Sequence, residues 1–256
     1  MRPSAYAVYL VLGVASSVFL QMIYTPLAVY YVQTVELDPL QLVLAGTVLE
    51  LTAFLFEVPT GVVADTYSRR LSVIIGEILI GAAFVLQGLA PVFAAIAIGQ
   101  MVFGIGGTFI SGALDAWIAD EVGEERVRQA YLRYGQVRQL GGLAGLGIGV
   151  GLATIDLALP VVLGGALMIG LGAFLALAMP ERGFRPTSRT QRASRRGTLR
   201  SMAGTTRAGT GLVRARPLLL GLIAVSVVSG ASGEGLDRLG EAHFLRNFAF
   251  PSIGDF

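Results

Sequence analysis

The chain has no cysteine and no lysine among its 256 residues. Without cysteine, neither a disulfide framework nor a thiolate metal site is possible. Without lysine, the phosphate-binding Gly-x-x-x-x-Gly-Lys cannot occur, and no His, Cys, Asp or Glu cluster has metal-ligand spacing, so no metal and no cofactor are expected. Charge is also scarce. Charged residues make up 14% of the chain, against roughly a quarter in a soluble domain. With 54% apolar residues and a mean hydropathy of +0.70, too little polar surface remains to face water. The composition is that of an integral membrane protein.

What is present is a series of long apolar runs. A helix needs about 20 mainly apolar residues to cross the hydrocarbon. Spans are predicted near 6–32, 40–64, 71–90, 92–117, 134–155, 159–179 and 217–235. The first is too long, with too little charge before it, for a secretory signal. All nineteen basic residues are arginines, and they alternate by side. Arg2 precedes span 1; Arg69 and Arg70 follow span 2; Arg126, Arg128 and Arg133 follow span 4. Ten more, from Arg182 to Arg216, follow span 6. The loops around Glu36–Asp38, Ala90–Pro91 and Ile155–Asp156 have none. By the positive-inside rule the amino terminus is cytoplasmic, and the cell membrane is the expected location.

Residues 1–180 therefore read as a six-helix transmembrane bundle and 181–216 as a cytoplasmic arginine-rich linker. Residues 217–256 read as the first helix of a second bundle with a polar tail. The pI near 9.1 raises nucleic acid as a partner, but arginines in cytoplasmic loops serve topology and contact with anionic lipid. No nucleic-acid role is assigned.

Between spans 2 and 3 stands "GVVADTYSRR". This resembles the loop signature of the major facilitator superfamily: Gly, three residues, Asp, three residues, two basic residues. The stretches "FEVPTGVVAD" and "SGALDAWIADEVGEER" resemble the drug-efflux branch that includes macrolide and tetracycline exporters. The resemblance implies an all-α polytopic fold, a small-molecule substrate and exchange with protons. It also implies that Gly61, Asp65, Arg69 and Arg70 form a cytoplasmic gate latch. On physical grounds Gly61 would allow close helix approach at the turn. Asp65 would accept amides at the start of a neighbouring helix or pair with Arg69 or Arg70.

Two departures matter. Where the family's fourth span often carries an arginine ahead of Gly-x-Gly, "QMVFGIG" has Gln100. Where the antiporter signature has Gly-Pro, "GGLAGLGIGVG" has Leu146, although close packing through small residues is retained. The first leaves the usual proton-relay arginine absent, and the second weakens the implied export direction.

Ionisable groups inside the membrane are costly and become functional candidates. Glu50 and Glu57, two turns apart on span 2, are assigned as proton or substrate carboxylates. Glu77, at a depth of about 10 Å, reads as a static group. Asp115 and Arg138 form a candidate pair stabilising one conformation. Gln21, Tyr24, Thr25, Thr108 and Ser111 are candidate cavity-lining residues, and Pro26 and Pro59 are expected kinks. An enzyme reading was weighed from "GASG" at 230–233 with Ser232 and His243. It fails because intramembrane serine proteases supply the histidine from a separate later span.

With one helix of a second bundle, the pathway is incomplete. The expectation is a fragment of a longer carrier that lacks its C-terminal bundle. A half-transporter pairing with a second copy, and a non-transporting sensor or assembly partner, are the alternatives.

Overall fold

The computed structural model describes residues 4–184 and scattered positions between 218 and 248. Most of the seventh span, most of the linker, and Ser232 of "GASG" lie outside the described residues.

Among those residues every element is helical. They are α1 (Ala5–Val29, continuing as a π-helical turn Tyr30–Thr34), α2 (Pro39–Thr66), α3 (Arg69–Leu89), α4 (Phe93–Ile110), α5 (Ala113–Val122), α6 (Glu124–Ala153) and α7 (Ala158–Ala178). The starts are written in the sequence. Ser4 caps α1 through the amide of Ala7. Asp38 and Gln41 form a reciprocal capping box at α2, and Ser68 caps α3 through Leu71. Each occupies orphan amides that helix ends leave open. Pro26 stays within α1 and Pro59 within α2.

Two predicted boundaries are corrected. Span 4 is not one continuous helix. It breaks at Ser111–Gly112, where Gly112 has φ +69°, a left-handed conformation that glycine adopts without steric cost. The pair α4–α5 makes a single crossing, Phe93–Val122. The helix that carries span 5 is longer than the predicted span, because α6 runs from Glu124 and its first turns carry the loop arginines.

Five segments are long and apolar enough to cross a membrane by length and composition. α6 misses that standard because its glycines contribute little apolarity, but its packing places it in the bundle. Gly141, Gly145 and Gly149, four residues apart, lie on Val14, Val18 and Met22 of α1. A Cβ at Gly141 would stand 2.8 Å from the Val14 carbonyl oxygen, and one at Gly149 2.7 Å from that of Met22. The numbers rise together, so α6 runs parallel to α1 in close register. Ser17 fastens the seam by donating to the Arg138 carbonyl over 2.6 Å.

α3 packs antiparallel on α7, with Gly81 against Gly165 and Ile78 against Gly172. It packs antiparallel on α4 through Gly76 and Gly106. Two buried clusters form the core. One, around Tyr9, Leu12, Val73 and Trp117, lies toward the arginine-bearing end. The other, around Ile23, Tyr30, Ile80 and Phe84, lies toward the opposite end. α2 stands apart, with Leu51, Phe54 and Leu55 exposed.

Candidate functional site: the arginine-bearing mouth of the bundle

The loop "GVVADTYSRR" is mostly helix. Residues 61–66 complete α2, Tyr67 and Ser68 make the turn, and Arg69 opens α3. Gly61 lies inside α2, and a Cβ there would meet nothing within 4 Å. The close approach expected at Gly61 is thus not made among the described residues, because the turn comes six residues later.

The two arginines have separate partners. Arg69 Nη2 stands 3.7 Å from Asp65 Oδ1. Its Nη1 donates to the Asp120 carboxylate and, over 2.9 Å, to the carbonyl of Ala116. The guanidinium also lies 5.8 Å from the Phe184 ring centre, within cation–π range. One cation therefore ties the end of α2 to the end of α5. Arg70 Nη2 donates to the Ala176 carbonyl near the end of α7, satisfying an acceptor that the helix leaves open.

The residues after α7 close this arrangement. Glu181 Oε1 accepts the amide of Arg70 over 3.0 Å, and its Oε2 accepts the Ser68 hydroxyl over 2.7 Å. A carboxylate at the start of α3 meets both an orphan amide and the positive end of the helix dipole. The amides of Arg182 and Gly183 donate to Glu121 Oε1 over 2.5 and 2.7 Å. Trp117 Nε1 donates to the Pro180 carbonyl over 2.7 Å. Sequence reasoning missed Asp120, Glu121, Trp117 and Glu181. The first three stand in "ALDAWIADE" without a spacing that singles them out, and Glu181 looks like the first residue of a polar linker.

Of the proposed coupling carboxylates, Glu50 and Glu57 are both exposed on α2. Glu57 Oε1 accepts the Ser111 hydroxyl over 2.9 Å, so it faces the break between α4 and α5. Three residues on, Thr60 donates to the Thr108 carbonyl over 3.1 Å.

The Asp115–Arg138 pair does not form; among the described residues the ion pairs are those of Arg69. Counting from Gly123, Asp115 lies eight residues back and Arg138 fifteen forward, an offset of about 10 Å in depth. The residue level with Asp115 is Tyr131, whose hydroxyl donates to the Asp115 carbonyl over 3.0 Å. Arg138 instead lies 5.7 Å from the ring centre of Tyr134.

The candidate lining residues divide. Tyr24 and Ser111 are exposed, Tyr24 lying edge-on to Phe84. Gln21 and Thr25 are half-buried, and the Thr25 hydroxyl bonds the Gln21 carbonyl within its own helix. Thr108 is 4% exposed in the α2–α4 seam, so it does not line a cavity here.

Gln100 occupies a buried polar knot. Its Nε2 donates to the Tyr31 hydroxyl over 2.9 Å, and that hydroxyl donates to Gln87 Oε1 over 2.5 Å. Tyr30 donates to the Gln87 carbonyl over 2.7 Å. Among the described residues no acid is bonded to Gln87 or Gln100, so an amide, not a guanidinium, suits the position.

A family model described as Major Facilitator Superfamily matches residues 10–242. An uncharacterized MFS-type transporter, YxaM, of Bacillus subtilis (strain 168) is 30% identical over 122 residues, covering 45% of this chain and 29% of that protein. A solved peptide transporter POT, in complex with sulfate, aligns with a TM-score of 0.51 at 16% identity. That alignment covers 82% of this chain and 46% of the other, a likeness of fold. The chain thus spans less than half the length of either protein.

Proposed function

The chain belongs to the major facilitator superfamily, and on that premise we propose that it forms the signature-bearing bundle of a secondary carrier exporting amphipathic, drug-like molecules in exchange for protons. Residues 1–180 make the six-helix bundle, 181–216 the linker, and 217–256 the start of the second bundle. The amino terminus faces the cytoplasm in the cell membrane. The protein is a carrier, not an enzyme.

The observation that carries this reading is the double engagement of Arg69 with Asp65 and Asp120. These groups sit half-buried at helix ends around the mouth, where pairs can be exchanged as helices move. Arg69 therefore works as a latch: closed, it holds α2 to α5; open, it releases the end of α2. Glu57 beside the α4–α5 break is the coupling carboxylate. Deprotonated, it accepts from Ser111 or from a cationic substrate; protonated, it loses that charge and releases the cation.

The test uses the longest native form of the protein, in inside-out vesicles, with ethidium as probe cation. Proton-gradient-driven ethidium uptake is expected in the wild type and is abolished by Glu57→Gln at equal expression. Uptake that ignores the gradient overturns the exchange reading.

A further inference from the structure

Glu77 is 2% exposed, and its Oε2 has no hydrogen-bond partner. It lies on α3 between the contacts with α4 (Gly76, Ile80) and those with α7 (Ile74, Ile78, Gly81). On a 3.6-residue helix it therefore joins the stripe Val73, Ile80, Phe84. Val73 belongs to one core cluster, and Ile80 and Phe84 to the other. Glu77 is the carboxyl at the join between two apolar halves.

The groups around it are few. α4 and α7, the helices most extensively packed on α3, contain no titratable side chain. From α6, the Tyr134 phenol is close enough to feel the Glu77 charge, with Ser16 of α1 as its hydrogen-bonding neighbour. Tyr134 stacks on Tyr9 of α1 at 4.2 Å. Arg138, beyond Tyr134, is exposed. α5 brings Asp115, which is exposed; α2 brings Asp65, paired with Arg69, and Glu57, bonded to Ser111. No cation reaches Glu77 among the described residues.

We propose that Glu77 is a proton-binding site in the bundle interior, distinct from the exposed carboxylates of α2. A carboxylate so enclosed lacks the donors and counter-charge that would stabilise it, so the closed bundle keeps a proton on the group. Release requires solvent or a cation to arrive, which means that the side chains enclosing the carboxyl, Tyr134 of α6 among them, must move aside. The step is a proton transfer alone: one O–H bond at the carboxyl breaks, and the proton forms a new O–H bond on water. Its transport consequence rests on the exchange reading above, but the site itself does not.

The test is infrared spectroscopy of the full chain in phosphatidylcholine liposomes, without substrate. At neutral pH the wild type is expected to show the carbonyl stretch of a protonated carboxyl. The band should convert to carboxylate as pH rises while the protein stays folded. It should be lost in Glu77→Gln and shifted in Glu77→Asp. A band that survives in Glu77→Gln, that is missing from the wild type, or that persists unchanged until unfolding, overturns the proposal. Should Glu77→Gln not fold, labelling of the wild type with dicyclohexylcarbodiimide decides. An adduct at Glu77 that diminishes at high pH supports the site, and none at Glu77 rejects it. Neither readout needs transport, so failed ethidium uptake and a failed proton site are separate results.

Discussion

The carboxylate of Glu181 accepts the backbone amide of Arg70 over 3.0 Å, so a residue just beyond the end of α7 caps the helix following the signature loop. With its other oxygen on Ser68, Glu181 links the start of the proposed linker to the proposed latch. Motion of the linker would therefore be felt at Arg70 without any contact to a substrate.

Replacing Glu181 by Ala should remove that cap. The expected loss is about 1 kcal/mol of stability, with faster hydrogen exchange of the Arg70 and Leu71 amides by mass spectrometry. Glu181→Gln, which can still accept, should lie between. Unchanged exchange in the Ala variant would mean that the contact contributes nothing to holding α3.

Asp65→Asn and Asp120→Asn both act on Arg69, so their effects should not add. In a double-mutant cycle on ethidium transport or thermal stability, the coupling is expected at about 0.5–3 kcal/mol. Asp65→Asn alone should impair transport at normal expression. Additive effects, or unimpaired transport, would argue that the arginines only set topology.

The Ser111 hydroxyl on Glu57 predicts that Ser111→Ala perturbs coupling in the same direction as Glu57→Gln, but less. The reason is that it removes one donor and leaves the charge. Ethidium uptake as a function of imposed pH gradient in vesicles measures this. A Ser111→Ala profile identical to wild type would disconnect the helix break from the carboxylate.

Gly145 and Gly147 lie two residues apart with opposite surroundings. A side chain at Gly145 would meet the Val18 backbone, whereas one at Gly147 would meet nothing within 4 Å. Gly145→Val should destabilise by about 1–3 kcal/mol through overpacking, and Gly147→Val should stay within roughly 0.5 kcal/mol. Thermal unfolding in detergent compares the two.

Gln100→Arg tests the buried knot. A guanidinium between Tyr31 and Gln87 would be buried without an acid, at a cost on the order of 3–5 kcal/mol. Strongly reduced accumulation in the membrane is expected. Normal folding would imply that an acid comes within reach.

Much of this was legible beforehand because membrane spans obey a simple rule: an apolar run of sufficient length, bounded by arginines on alternate sides. The caps at Ser4, Asp38 and Ser68 are local, since each acts on an amide three residues away. The signature loop was visible as a pattern, and one of its ion pairs, Asp65–Arg69, spans only four residues.

The remaining partners of the loop are distant in sequence. Asp120 is 51 residues from Arg69, and Glu181 is 111 from Arg70. No periodicity links such positions, and only helix packing brings them together. Packing likewise separated Asp115 from Arg138, because two antiparallel helices match residues by distance from their turn, and these two distances differ. It also left Glu57 exposed and Glu77 enclosed, although both lie at similar depths. Composition and arginine placement determined that the chain crosses a membrane and in what order. Which carboxylate meets solvent, which meets an arginine and which meets neither was decided by the rotation of each helix in the bundle, and that depends on every neighbour at once.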